Sequence, residues 1–354
     1  MWQEAWQSGN RDLLLNRLRE NKQDEWDVVI AGGGITGAGI AREAARRGLS
    51  VLLVDRQDFA WGTSSRSSKM VHGGLRYIAA GDIILPKGKQ LRAQDLGLIA
   101  SIGVAQVLVY KPLRIATFTT GQELLEPGEP AEAGKVYNAN RYILSGLIPQ
   151  LGCELIDLGR VPDNLDATIE TLKQAASVAD VLITTGGVSV GDEDYIKPAV
   201  ESTGHLDLWK VKMKPGKPIA YGEVAGKPFI GLPGNPVSAF TTFTLFARPY
   251  LLTMQGQVDV LPKPIWLVAG FDWPKSGFRR EFVRAKLENN CLDKAQHNAQ
   301  NHSQITEVIL FPNQGSGVLT STVWADGLAV IPEDTTVMKV DLVAYYAFNA
   351  LEGS

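Results

Sequence analysis

The sequence is poor in cysteine, and this scarcity bounds the kinds of protein it can encode. Its 354 residues include only Cys153 and Cys291, which lie far apart and form no Cys-x-x-Cys pair. Small secreted domains that are held together by disulfides carry several cysteines at short spacings. The cysteine content therefore predicts a reduced, cytoplasmic protein without a disulfide framework.

Charge of one sign and long hydrophobic runs are also missing. The chain has 35 basic and 38 acidic residues and a net charge of −3, which gives no indication of nucleic-acid binding. No apolar run reaches the length of a membrane span, and the N-terminus lacks the order of a signal peptide. The length suffices for two or three domains, and a hydrophobic content of 45% is ordinary for globular cores.

Among the patterns that are present, the chain is organised around residues 180–195, DVLITTGGVSVGDEDY. An apolar strand runs into Gly186 and Gly187, and a polar turn then opens a helix. Free backbone N–H groups at such a turn bind anions, phosphate above all. The turn also carries three acids that end at Asp194, which suggests a divalent cation between the acids and a phosphate. The alternative is a helix whose first turn is acidic because acids suit the helix dipole.

Two further stretches repeat the order of strand, glycine turn and helix. Residues 229–240 read FIGLPGNPVSAF, and residues 115–127 read IATFTTGQELLEP. Loops at the carboxyl ends of strands are where open α/β sheets bind ligands. We therefore predict that the three loops line one cleft.

Residues 113–253 alternate between strand and helix patterns, which predicts a three-layer, mostly parallel sheet. Residues 261 onward show short strands and turns, which predicts a small β domain. The predicted strands cover residues 114–119, 154–158, 181–185 and 229–231, with a hairpin at 209–213 and 219–221. The predicted helices cover residues 140–151, 165–177, 193–202 and 237–254, and Pro149 is expected to disturb the last turn of the first of these.

The N-terminal part carries a different pattern, DVVIAGGGITGAGIAREAARRGLSVLLVDR. Gly32, Gly34 and Gly37 have the spacing of a dinucleotide-binding turn, and Asp55 ends the second strand, where an acid can bind a ribose hydroxyl. A plain βαβ crossover is the alternative. This stretch, together with DFAWGTSSRSSKMVHGGLRY at residues 58–77, resembles the FAD-dependent glycerol-3-phosphate dehydrogenases. The resemblance implies that loop residues contact the flavin, and those residues are Ser64, Ser65, Ser68, His72 and Gly74.

This resemblance stops near residues 77–84, and a second one begins. The motifs TGQELLEPG, VYNANRY, TTGGVSVGDEDY, WKVKMKPGKP, GLPGNPVSAF, FPNQGSGVLTS and ADGLAVIPE resemble those of the molybdopterin molybdenumtransferases, the family of the gephyrin E domain. The chain is thus predicted to be a chimera. Residues 1–78 form an incomplete FAD-binding βαβ fragment and 79–112 a linker or remnant. Residues 113–255 form a molybdopterin-binding α/β domain, and 261–350 a C-terminal β-barrel-like domain.

The second resemblance implies magnesium-dependent insertion of molybdate into adenylated molybdopterin, with release of AMP. Glu123 and Asp194 match acidic positions that would hold Mg²⁺. The expected catalytic residues are Asp163, Asp194, Glu123, Lys210 and Lys214. The expected pterin and nucleotide contacts are Gly121, Asn140, Arg141, Gly186, Gly187, Ser189, Gly191, Lys217, Gly234, Asn235, Pro236 and Ser238.

Several of these residues have a structural alternative. Asp163 could cap the helix that follows it. The lysines of WKVKMKPGKP could form a solvated row on one face of a strand. Asn138, Asn140 and Arg141 could contact the ligand or only cap a helix. Gln122 stands where the family has an aspartate, and this replacement is expected to weaken metal binding.

Three functions are therefore carried forward. The first is molybdenum transfer, with turnover reduced or lost because the flavin-like fragment replaces the family's N-terminal region. The second is FAD-dependent oxidation of glycerol 3-phosphate, although the fragment is not expected to retain FAD. The third is an inactive chimera that retains only pterin binding. The expected partner is a small-molecule substrate, and any homodimer would be weakened by the missing N-terminal region.

Overall fold

The computed structural model describes residues 27–31, 35–54, 83–188, 195–291 and 304–352. The chain divides into two compact units. The first contains the N-terminal βαβ pattern together with residues 96–105, and the second contains residues 85–95 and 106–354. Within the described residues, every helix is too short or too polar to cross a membrane.

The first unit contains the predicted βαβ crossover. Strand β1 (Val28–Ala31), helix α1 (Ile35–Arg46) and strand β2 (Val51–Val54) follow in order, and the two strands pair in parallel. Val29 is 61% exposed and Ile40 is 50% exposed, so apolar surface stays uncovered among the described residues of this unit. Gly37 lies in α1. The remaining predicted flavin residues, Gly32, Gly34, Asp55, Ser64, Ser65, Ser68, His72 and Gly74, lie outside the described residues.

The second unit contains the predicted α/β sheet, with strand order β6-β3-β7-β11-β10-β8. Its strands are β3 (Arg114–Thr120), β6 (Glu154–Val161), β7 (Val181–Thr185), β8 (Gly204–Lys210), β10 (Pro218–Val224) and β11 (Lys227–Leu232). Neighbours among β6, β3, β7 and β11 pair in parallel. Strand β10 pairs antiparallel with β11, and β8 pairs antiparallel with β10. Every residue of β7 is buried, as expected for a central parallel strand that is covered on both faces.

Helices cover both faces of this sheet and make three layers. The helices that cover the sheet are α3 (Ala139–Gln150), α4 (Leu165–Val178), α5 (Ile196–Thr203), α6 (Pro236–Thr242), a π-helix (Phe243–Ala247) and α7 (Arg248–Met254). Helix α2 (Ala93–Ser101) precedes them in the chain, and its residues are divided between the two units. Ile183 packs with α3, the π-helix and α7 on one face. Its neighbour Leu182 packs with α4 and α5 on the other face. Alternate residues of one strand thus enter opposite cores.

The predicted helix over residues 237–254 is interrupted by the π-helix, which the sequence pattern did not indicate. Pro249, in the first turn of α7, has no N–H and its ring crowds the carbonyl one turn earlier. A wider π turn just before a proline accommodates both effects. Pro149 lies in the last turn of α3, and the helix ends one residue later at Gln150.

The C-terminal part forms a second six-stranded sheet, with the order β14-β12-β16-β15-β13-β9. Its elements are β9 (Met213–Lys214), β12 (Ile265–Ala269), β13 (Arg280–Cys291), β14 (Gln304–Leu310), α8 (Thr320–Trp324), β15 (Gly327–Ile331), β16 (Leu342–Ala347) and α9 (Phe348–Glu352). Pairing of β13 with β14 closes the sheet into a small barrel. The fold is therefore an α/β domain followed by a closed β domain.

One predicted element is wrong in part. The hairpin expected at residues 209–213 and 219–221 exists only up to Lys210, where β8 pairs with β10. Met213 and Lys214 instead pair in parallel with β13, so this short strand joins the C-terminal sheet. The chain turns away because β13 offers an unpaired edge on which β9 satisfies its backbone groups.

Candidate functional site

The three glycine loops converge on one cleft at the carboxyl ends of β3, β7 and β11. The cleft has a volume of about 700 Å³. Each loop contributes lining residues, which are Gly121 and Glu123, then Gly186, Gly187 and Val188, then Pro233, Gly234, Asn235, Pro236 and Ser238. The predicted gathering of the three loops is therefore found in the structure.

The loops approach each other so closely that glycine is required at their contact. Gly186 has φ of +84°, and a Cβ there would lie 2.9 Å from the backbone oxygen of Thr120. The N–H of Gly186 donates to the carbonyl of Leu232 at 3.1 Å, which joins the second loop to the third. Gly234 contacts Gly186, because a Cβ built on Gly234 would lie 3.5 Å from the Cα of Gly186, an ordinary van der Waals distance. The cleft floor is thus built from backbone, which suits binding of anionic groups.

A further part of the cleft is lined by the start of helix α3 and by the strand that precedes it, β5 (Val136–Tyr137). Strand β5 pairs with strand β4 (Leu124–Leu125). The Oδ1 of Asn138 accepts a hydrogen bond from the Arg141 N–H, so this residue caps α3. Its Nδ2 donates to Thr119 Oγ1 and to Glu126 Oε1, each at 2.9 Å. Asn138 therefore caps α3, and because it also lines the cleft, its contact with the ligand stays a prediction.

Arg141 is committed to two carboxylates. Its Nε donates to Asp157 Oδ2 at 2.7 Å, and its Nη1 lies 3.1 Å from Glu126 Oε2. Hydrogen bonding to Asp157, together with the charges of both carboxylates, raises the pKa of the guanidinium. Arg141 does not line the cleft. Its geometry is that of a residue that fixes the loop carrying Glu126 against α3.

Asn140 lines the cleft and joins α3 to the third loop. Its Nδ2 donates to the carbonyl oxygen of Gly234 at 2.7 Å. The residue is only 8% exposed. Asn140 therefore lies on the predicted ligand surface and does not act as the helix cap.

Two of the predicted acids border the cleft. Glu123 and Asp163 both line it, and oxygen ligands of this kind are those that Mg²⁺ prefers. Asp163 is not the cap of α4, because the Oδ1 of Asn164 accepts the Ala167 N–H at 2.8 Å in that role. The remaining members of the second loop, Ser189, Gly191 and Asp194, lie outside the described residues.

The cleft lining does not include the three predicted lysines, which are Lys210, Lys214 and Lys217. The Nζ of Lys214 donates to Glu281 Oε2 at 2.9 Å. Lys210 ends β8 whereas Lys214 lies in β9, so the alternative of a single row of lysines on one strand is not found, and the anion contacts of these lysines stay a prediction. The switch of β9 to the C-terminal sheet separates them.

The sequence reasoning missed a contribution from the C-terminal domain. Gly317 lines the cleft, and the carbonyl of its neighbour Ser316 accepts the Val237 N–H at 3.2 Å. Behind this loop lies Arg284, 1% exposed, which donates to Ser321 Oγ and to the carbonyl of Gly315. Burial lowers the pKa of Arg284 to about 10. The motif FPNQGSGVLTS was noted in the sequence, but its spacing predicts no cleft contact.

The sequence matches three family models, and two of them cover parts of the chain that line the cleft. Residues 116–253 match the family model for a probable molybdopterin binding domain. Residues 267–348 match the MoeA C-terminal region, domain IV, and residues 27–127 match the FAD dependent oxidoreductases. The oxidoreductase match runs past the predicted seam at residues 77–84 and overlaps the molybdopterin match at residues 116–127. In the structure these overlapping residues include most of β3, a central strand of the α/β sheet.

Curated relatives and solved structures agree with the molybdopterin binding domain and MoeA matches. The chain is 43% identical over 208 residues to a molybdopterin molybdenumtransferase of Haemophilus influenzae, covering 58% of this chain and 52% of the relative. It is 36% identical over 198 residues to a Nostoc protein of the same name, covering 55% and 45%. The chain thus spans about half the length of the curated relatives it matches.

Two solved structures extend the similarity over both domains. A molybdopterin biosynthesis MoeA protein from Pyrococcus horikosii has a TM-score of 0.61 and 28% identity, over 75% of this chain and 62% of that one. A molybdenum cofactor biosynthesis protein from Pyrococcus furiosus has a TM-score of 0.54 and 26% identity, over 75% and 80%. The α/β domain and the closed β domain of this chain have the fold of these proteins.

Proposed function

We propose that this chain acts in molybdenum cofactor biosynthesis, by magnesium-dependent insertion of molybdate into adenylated molybdopterin with release of AMP. The observation that carries the proposal is the convergence of three glycine loops on one cleft with two carboxylates at its border. The names of the curated relatives support the substrate class. The activity is a proposal because the chain spans only about half of those relatives.

The proposed roles follow from what each part of the cleft can bind. Backbone N–H groups of Gly121, Gly187, Gly234 and Asn235 would bind the pyrophosphate and its products, while the Gly186 N–H holds the second loop to the third. Glu123, with the predicted ligand Asp194, would hold Mg²⁺, which supplies positive charge beside the pyrophosphate when it is bound. Asp163 would orient the attacking water from the cleft border.

Molybdate would be held by the positive charge of the lysines in WKVKMKPGKP. Lys217 directly precedes Pro218, which lines the cleft, so it is the candidate nearest to the bound anion. Lys214 would have to exchange its ion pair with Glu281 for an anion. Lys210 is the third candidate and is the last residue of the edge strand β8. Ser238, which is buried in the first turn of α6, would contribute a hydroxyl.

The proposal is tested by AMP release from adenylated molybdopterin in the presence of Mg²⁺ and molybdate. Asp163→Asn is expected to lower the rate by about 10²- to 10⁴-fold, the range of a lost general base. Asp166→Asn is the matched control, because Asp166 lies in the first turn of α4 only three residues away and does not line the cleft. Equal rates for both variants would remove Asp163 from the reaction, and a wild-type protein that fails to bind the substrate would refute the function.

We further propose that the N-terminal residues descend from an FAD-dependent oxidoreductase, with glycerol-3-phosphate dehydrogenase as the closer relative. The family match over residues 27–127 supports the broader ancestry. FAD titration followed by flavin fluorescence tests whether any cofactor is retained. We expect no binding, because only two strands and one helix of such a domain are present among the described residues. Saturable quenching would revive the oxidoreductase function over an inactive chimera.

Two assembly-level proposals accompany this function. We propose a cytoplasmic protein that binds a small-molecule substrate, and a homodimer weakened by the flavin-like replacement of the family's N-terminal region. Sedimentation at increasing protein concentration tests the second point. A tight dimer at all concentrations would show that the replaced region is not needed for association.

A further inference from the structure

The orientation of the Asn140 side chain is fixed by the backbone that it contacts. A carbonyl oxygen can only accept a hydrogen bond, so the amide nitrogen must face the Gly234 oxygen at 2.7 Å. The amide oxygen is then directed away from Gly234. This oxygen is buried and has no hydrogen-bond partner among the residues that the structure describes.

An unpaired acceptor is unusual at a residue that is buried to this extent. Asn140 is 8% exposed and belongs to the cleft wall. The nearest side-chain amide in sequence, that of Asn138, already donates to Thr119 and Glu126. A missing donor in the wall of a ligand cleft is most simply supplied by the ligand.

The chemistry of the missing partner is defined by the acceptor. A carbonyl-type oxygen repels phosphate and molybdate oxygens and attracts N–H or O–H groups. The backbone N–H groups of Gly187 and Gly234 offer the opposite polarity on the cleft floor. The cleft therefore combines a surface for anions with one buried acceptor for a neutral donor.

We propose that Asn140 Oδ1 is a specificity determinant that accepts a hydrogen bond from an N–H or O–H group on the uncharged part of the ligand. This inference rests on the proposed function, in which that part is either the pterin or the nucleoside. The pterin offers an amino group and ring N–H groups, and the nucleoside offers ribose hydroxyls and the adenine amine. The two sources share one chemistry and differ in which probe detects it.

The test measures binding of three probes by titration calorimetry to the full chain. The probes are pyrophosphate, AMP and adenylated molybdopterin, and the variant is Asn140→Leu, which keeps the size and removes both polar atoms. The matched control is Gln255→Leu. Gln255 also donates its amide to a backbone carbonyl, that of Leu151 at 3.0 Å, but it does not line the cleft.

Asn140→Leu is expected to weaken adenylated molybdopterin roughly 10- to 100-fold, because the ligand's donor loses its buried acceptor, and to leave pyrophosphate unchanged. Unchanged AMP affinity assigns the donor to the pterin, and weakened AMP affinity assigns it to the nucleoside. Gln255→Leu should bind all three probes as the wild type does. If Asn140→Leu does not fold, as judged by circular dichroism, Asn140→Ser replaces it.

Two results would overturn the inference. Unchanged affinity for every probe would mean that the amide oxygen meets no ligand. Equal weakening of all three, pyrophosphate included, would mean that Asn140 acts only by holding Gly234. Failure of the wild type to bind adenylated molybdopterin would instead refute the proposed function, which keeps the two failures separate.

Discussion

The contact between the first and second loops makes a sharp prediction about Gly186. Alanine at this position must adopt φ of +84° and place its Cβ 2.9 Å from the Thr120 oxygen. The left-handed conformation costs about 1–2 kcal/mol for a residue with a Cβ. Crowding against backbone, which cannot rotate away, adds about 1–3 kcal/mol. We therefore expect Gly186→Ala to lower the free energy of unfolding by about 2–5 kcal/mol, the sum of the two terms.

The chain contains a control that separates the two contributions. Gly226 has φ of +78°, and a Cβ there would meet no atom within 4 Å. Gly226→Ala thus carries the backbone strain of about 1–2 kcal/mol without the crowding. Urea denaturation followed by tryptophan fluorescence measures the free energy of unfolding of both variants, and pyrophosphate titration measures their affinity for an anion in the cleft. Equal destabilisation and equal anion binding would refute the idea that the loops are held in contact through Gly186.

Three further side chains of the α/β domain can be tested by substitution. Arg141→Met should lower stability by about 1 kcal/mol at low salt, because the ion pairs with Asp157 and Glu126 are partly exposed, and high salt should shrink the difference in urea midpoint. Gln122→Asp should tighten Mg²⁺ binding in calorimetry, because it adds a carboxylate beside Glu123; unchanged affinity would contradict a metal at this loop. The hydrogen bond from the Arg114 side chain lowers the pKa of Asp180, so its stabilisation is present above the usual aspartate pKa and is lost as pH falls through the lowered value. Asp180→Asn should therefore be less stable than wild type at pH 7 and approach it as the pH falls through the lowered pKa of Asp180 in urea titrations; a constant difference would contradict the linkage.

The parallel sheet and its loops could be predicted from sequence because each depends on local signals. The run VLITT is apolar on both faces, and only a strand covered on both sides tolerates that pattern. Glycines directly after such strands predict turns at one edge of the sheet, where their contacts were found. The cap of α4 was ambiguous for a different reason. Asp163 and Asn164 are adjacent, and both residue types are good helix caps, so the sequence did not show at which of the two the helix begins.

The lysine positions could not be predicted because they depend on pairing between distant strands. Lys214 pairs in register with Glu281, sixty-seven residues later, and no local pattern in WKVKMKPGKP specifies that partner. Likewise, Gly317 reaches the cleft through the Val237–Ser316 hydrogen bond between the two domains. The sequence therefore indicated which loops gather but not which distant residues complete them.

These cross-domain contacts lead to a prediction about the separated α/β domain. Its two cores are complete within residues 113–260, so a fragment of that length should fold. Phe240 and Leu245, however, also pack in a cluster with Leu328 and Phe348, and the rings of Phe240 and Phe348 meet edge to face at 5.2 Å. The fragment would expose that surface and leave β9 without β13.

We expect the fragment to fold cooperatively with a lower urea midpoint than the full chain and to bind dye at the uncovered apolar surface. Phe348→Ala in the full chain isolates the packing part of this loss and should cost about 3–5 kcal/mol, the usual range for a buried phenylalanine. If the fragment is as stable as the full chain, the C-terminal domain contributes residues to the cleft but no stability to the sheet. If it does not fold at all, the sheet depends on the barrel, and the two domains separated in the sequence form one cooperative unit.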